Sequence, residues 1–150
     1  MAESKLTRVM NRLAGRLEGI SVGNGYYTDI GQTVERYPRV FDQDETPACA
    51  VFLNGGDSGG SAGNGVKTDP TLTIRASHKI TGIAEDIAIR MMADIHKAVE
   101  QPSSTIPQQP DVIRRYDETS WEIVYPENTG KVVSVELTYS FSYSRRYGED

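Results

Sequence analysis

Cysteine is nearly missing from this chain of 150 residues: Cys49 stands alone, which excludes an intrachain disulfide. Histidine is almost as scarce. With His78 and His96 the whole supply, a zinc site built from Cys and His lacks its fourth ligand. Long apolar runs are missing too. Nothing approaches the roughly 18 uncharged apolar residues that cross a bilayer, and the opening MAESKLTR has no signal-peptide core behind it. The expectation is a soluble protein made where it is used. Positive charge is in deficit, with 16 Lys+Arg against 21 Asp+Glu, a net charge of −5 and a pI near 5.1. Binding a phosphate backbone needs a concentrated basic stripe, so nucleic-acid specificity is set aside. Apolar residues reach 37%, below the usage of average globular domains. One domain over residues 1–150 with a modest core is expected.

What is present is clear periodicity in four places. From Ser4 to Glu18, Leu6, Val9, Met10, Leu13 and Leu17, continued by Ile20, recur at steps of three and four, the stripe of an amphipathic helix that Ser4 can cap. Gly82 to Glu100 repeats the pattern with Ile83, Ile87, Met91, Ile95 and Val99, widened by Ala84, Ala88 and Met92. Thr71 to Ile80 alternates, setting Leu72, Ile74, Ala76, His78 and Ile80 on one face of a half-buried strand. Lys131 to Tyr143 alternates most cleanly, with Val133, Val135, Leu137, Tyr139, Phe141 and Tyr143 inward. Weaker signals give a strand over Gln32–Tyr37, a buried strand over Pro47–Leu53, and a strand SWEIVY with Trp121, Ile123 and Tyr125 inward. The order α-β-β-β-α-β-β implies an α+β fold, two helices on one face of a mainly antiparallel sheet of about five strands. Six glycines between Asn54 and Gly65 read as a flexible loop over 54–66, QPSSTIPQQP as an extended connection, and 144–150 as a polar tail.

Several strings imitate chemistry without completing it. Gly56 to Gly60 spell GDSGG, the surroundings of the trypsin-like nucleophile. Ser58, however, needs a histidine base and a carboxylate behind it, and both histidines follow it in the chain, whereas in that family the base precedes the serine. Gly60 and Gly65 have P-loop spacing, but Val66 occupies the lysine position and a strand, not a helix, follows. His78 reads as a hydrogen-bonded core residue, and His96 as lying toward solvent or the helix flank. Asp42, Asp44 and Glu45 read as a solvated loop, and Met91 and Met92 as core. Trp121, Tyr139, Phe141 and Tyr143 read as core rather than a platform for bases. No catalytic, cofactor-binding or metal site is expected.

The order of elements and its punctuation do carry a likeness. The amino-terminal helix running into GNGYYTDIGQTV, the acidic loop before a proline-led strand (DQDETPACAVF), and a helix bearing ADIHKAV form its first part; SWEIVYPENTGKVVSVELTYSFSY completes it. Together they resemble the tail terminators of long-tailed bacteriophages, the minor tail protein U type. The resemblance implies a structural virion protein that forms a hexameric ring on the tail tube, ends tube polymerisation and offers a docking surface to the head. It implies as partners other copies of the chain, the major tail tube protein and a neck or head-completion protein. Its place would be the head-proximal end of the tail, assembled in the host cytoplasm. The glycine-rich insertion has no counterpart in that family pattern. Asp57 and Ser58 in the glycine-rich segment and Arg145 and Arg146 near the end are the expected interface residues. The competing readings are another neck protein, joining or completing the head, and, from a different class, a small serine hydrolase using Ser58.

Overall fold

A computed structural model describes residues 4–62, 65–100, 113, 115–146 and 148. Helix α1 spans Lys5–Glu18, and Ser4 caps it by accepting from the Thr7 N–H at 3.1 Å. A two-residue strand β1 (Val34–Glu35) follows, then β2 (Ala48–Ala62), β3 (Gly65–Lys79), helix α2 (Ala84–Val99), β4 (Asp117–Val124), β5 (Val132–Ser140) and β6 (Tyr143–Arg146). The strands form one sheet in the order β1-β2-β3-β5-β4, with β6 also on β3. Only the β1–β2 pair is parallel. The fold is α+β, as the periodicity implied. Among the described residues no helix is long and apolar enough to cross a membrane.

Both helices lay their stripes on one face of the sheet. Met10, Leu13 and Leu17 of α1 and Met91 and Ile95 of α2 are fully buried against Cys49, Val51, Leu72, Ile74, Val135, Leu137 and Tyr139. Each such side chain contributes on the order of 1.5–3 kcal/mol on leaving water. The other face has only a small cluster of Phe41, Ala48 and Ala50. Beyond it the open face is polar, with Arg75 bonded to Glu136 at 2.7 Å and Ser77 to Ser134 at 2.8 Å.

The segment between α1 and β1 has little regular structure and is held by two close fits. Gly31 lies against the end of α1, where a Cβ would stand 2.3 Å from the Leu17 carbonyl oxygen. Asp94, 1% exposed on the sheet-facing helix α2, accepts from the N–H groups of Tyr27 (2.9 Å) and Thr28 (2.8 Å) and from the Thr28 hydroxyl (2.6 Å). A buried carboxylate is tolerated because backbone donors surround it.

The sequence expectations are corrected in several places. Segment 54–66 is not a loop: its described residues continue β2 and begin β3. Residues 144–146 of the expected tail are strand β6. The strand over Gln32–Tyr37 shrinks to two residues, since β1 meets β2 only at Cys49 and Ala50. Ile83 is 67% exposed at the cap of α2 rather than on its buried stripe. Trp121 and Tyr125 are 57% and 50% exposed. Trp121 pairs with buried Leu137, so the alternation has the expected phase, but β4 is the outermost strand and the helices pack inward of it. His78 is half-buried near the end of β3 rather than in the core, its Nδ1 2.7 Å from the Lys79 carbonyl oxygen. The connection QPSSTIPQQP lies outside the described residues.

Removing the Asp94 carboxylate leaves the buried Thr28 N–H and hydroxyl, with the part-buried Tyr27 N–H, without their acceptor, at a cost of roughly 1–3 kcal/mol for each buried group left unpaired. Asp94→Ala should therefore lower unfolding stability by about 3 kcal/mol or more in urea titration. A change below about 0.5 kcal/mol would mean that the segment 26–28 is held by something else.

Candidate interface on a three-stranded arm

β3 is the reason the glycine-rich segment is strand. It runs on past the helix-covered core, and β2 pairs with it all the way, from Ala48 opposite Ser77 to Ala62 opposite Gly65. On its other side β5 pairs from Lys79 to Thr71 and β6 from Thr68 to Gly65. The two ladders share one register, because Thr71 faces Ser140 and Thr68 faces Tyr143 with two residues between on each strand. Between them lies Pro70, which has no N–H to give; its carbonyl accepts from the Phe141 N–H at 3.2 Å. β5 and β6 are thus one strand interrupted at a proline.

The result is a three-stranded arm. From Gly55 to Ala62 it spans eight residues, about 26 Å at the rise of a strand. Its root is packed. Tyr116 meets Phe141 edge to face at 5.4 Å between centroids, Phe141 stacks on Tyr143 at 6.4 Å, and Lys5 of α1 donates to the Ser144 carbonyl at 3.0 Å.

Glycine serves the arm by its small size. At Gly56 a Cβ would stand 2.5 Å from the Asp69 carbonyl oxygen and 2.7 Å from the Pro70 Cα. Gly55 has φ +147°, at the register slip that leaves Asn54 as the extra residue.

The four residues expected at an interface meet here. Asp57 pairs with Asp69 and Ser58 with Thr68 on one side of β3, while Arg145 pairs with Val66 and Arg146 with Gly65 on the other. Residues almost ninety positions apart in sequence share one small sheet. Asp57 opposite Asp69 sets two like charges across a rung, an arrangement that destabilises the pair. Asp69 is partly relieved by the Ser142 hydroxyl, which donates to it.

The same register separates Ser58 from a base. Thr68, its partner, is ten residues from His78 along β3, about 33 Å. His96 on α2 is bonded instead to Glu118. No nucleophilic triad forms at Ser58 among the described residues. Nor does a helix follow Gly65, as a P-loop would require. The acidic run Asp42 to Glu45 is a capped 3-10 turn in which Asp42 and Glu45 bond reciprocally and Glu45 also pairs with Arg39.

Cys49 and two tyrosines are the groups whose ionisation burial opposes most. Burial pushes the Cys49 thiol and the Tyr116 phenol each up to about 12, and burial with the nearby Glu100 and Glu118 carboxylates raises Tyr139 further. Their neutral forms support the fold fully below the ordinary thiol and phenol values. That support is lost as pH rises through the raised ones.

Three outcomes follow from these placements. Gly56→Val should expose the amides of 66–69 to fast hydrogen exchange while those of 72–76 stay protected; equal protection in both would show that the arm tolerates a Cβ. Stability in urea should decline from about pH 9 upward, and Cys49 should react with thiol reagents no faster than the chain unfolds. Rapid labelling at pH 8 would contradict its burial.

Comparison with protein-family models finds no match for the chain, and comparison with curated proteins finds none either.

Proposed function

We propose that this protein is a tail terminator of a long-tailed bacteriophage, closing head to tail into a ring on the tail tube, ending its growth and giving the head a surface to dock on. The likeness in element order supports the reading, and so does the α+β frame with both helices on one face.

The observation that carries it is the outer edge of the arm. β1 covers β2 only at Cys49 and Ala50, so from Val51 outward that edge has no strand partner among the described residues. Asn54 to Gly59 are exposed, and in NGGDSGG little side-chain bulk shields the peptide groups. Such an edge accepts a further strand through main-chain hydrogen bonds. At the far side of the sheet β4 is a second edge without a strand partner among the described residues, carrying exposed Trp121 and Val124. Two different edges on opposite sides suit a heterologous contact, which closes into a ring when the rotation between neighbours permits. In this reading the chain works in the virion, at the head-proximal end of the tail. Its partners are further copies, the tube protein and a neck protein.

Native mass spectrometry with negative-stain imaging, on the protein alone and mixed with its tail tube protein, tests the proposal. Closed rings, or rings capping tubes of limited length, are expected. A persistent monomer that neither binds nor shortens tubes overturns it. Rings that ignore the tube but bind the portal-side connector assign the chain to head completion or joining instead. Asp57→Asn sharpens the test: it relieves the repulsion with Asp69 and should stabilise the free arm by about 0.2–1 kcal/mol, yet reduce ring formation if a neighbour's cation docks there.

A further inference from the structure

The sequence offers no metal site because it separates the groups that make one. Folding brings His96, Glu100 and Glu118 together, with one ligand atom from each lying within 4.8 Å of the others. His96 and Glu100 are one turn apart on the same face at the end of α2, where i and i+4 side chains meet. Glu118 arrives from β4. Its register opposite Tyr139 puts it on the helix-facing side of the sheet, next to a bulge between Glu118 and Ser120 that interrupts the ladder.

We propose that His96, Glu100 and Glu118 form a binding site for a first-row divalent transition cation such as zinc. The imidazole Nε2 is the atom that faces both carboxylates: it is bonded to Glu118 Oε2 and lies 4.0 Å from Glu100 Oε2. Around a tetrahedral ion with bonds of about 2.1 Å, ligand atoms stand about 3.4 Å apart. Reaching that spacing requires the His96–Glu118 contact to open and the His96–Glu100 gap of 4.0 Å to close, with the Glu100–Glu118 pair, already within 4.8 Å, following. One imidazole with two carboxylates matches borderline cations, where calcium or magnesium prefers oxygen alone.

One of the carboxylates is already held from behind. The hydroxyl of Tyr139, a residue with no exposed surface, donates to Glu100 Oε2 at 3.3 Å. Such a partner orients a ligating carboxylate. The ligand side chains are 39%, 45% and 22% exposed, so an ion can enter and complete its coordination with water. Two carboxylates at the carboxyl end of a helix also sit in the negative field of its dipole, which a cation offsets. The bound ion ties α2 to β4, the outermost strand of the sheet.

The whole chain, freed of metal with EDTA, is titrated with zinc chloride. A thermal midpoint raised by about 5 °C or more at a hundredfold excess over the dissociation constant is expected. The shift should vanish in His96→Gln and Glu118→Gln and persist in His78→Gln. Trp121, the single tryptophan, lies three residues from Glu118, about 10 Å along the strand. Cobalt should therefore quench its fluorescence saturably at one equivalent, and zinc should reverse the quenching. The fluorescence readout needs only the wild-type chain, so it decides the matter even if a variant fails to fold. Absence of both effects in the wild type, or their survival in a folded His96→Gln, overturns the site.

Discussion

Everything in the sheet is registered to β3. Among the described strands it is paired from Gly65 to Ser77 on one side and from Gly65 to Thr68 and Thr71 to Lys79 on the other, and its alternation decides which residues enter the core. Leu72, Ile74 and Ala76 turn toward the helices, and Thr73, Arg75 and Ser77 turn away. A slip of one residue would exchange those sets, so burial of the helix stripes fixes the register of the whole molecule. The arm inherits that register beyond the point where any core enforces it. Its pairing is an extrapolation of order established under α1 and α2.

Order outside the core is sustained by other means. At the root, Phe141 and Tyr143 continue the inward alternation of β5 and pack with Tyr116 and Lys5. Further out, Val66, Thr68 and Tyr143 supply the side chains that glycine withholds from β2. The division of labour is asymmetric: two strands with ordinary β-formers support a third that is mostly backbone.

Legibility in the sequence follows this division. Both helices, β5 and β3 from Thr71 onward are readable because their side chains meet a core at a fixed period. The arm strand in β2 is not, because NGGDSGG has the composition of a loop; the constraint at Gly56 comes from Asp69 and Pro70, across the hairpin. Asp57, Ser58, Arg145 and Arg146 are read from the sequence one at a time, and only the pairing with β3 brings their strands into one small sheet. Alternation gives Trp121 its phase but not its exposure, since it says which side a residue faces and not whether anything covers that side. Asp94 gave no signal, because a carboxylate on a helix reads as solvated unless its backbone donors are known. His96 and Glu118 were invisible as a pair for the same reason: twenty-two residues of chain separate them.

If the arm docks a partner as proposed, the single charge on the open edge of β2 would act as a filter. An unpaired, glycine-rich strand is in principle indifferent to what it pairs with, and two such arms could zip together edge to edge into a useless dimer. Asp57, backed by Asp69 one strand inward, places a local negative potential midway along that edge. An identical arm laid alongside would bring two more carboxylates into the same few ångströms, whereas a strand bearing lysine or arginine there would be drawn in. On that proposal, one side chain would convert the promiscuity of the backbone into a choice of partner.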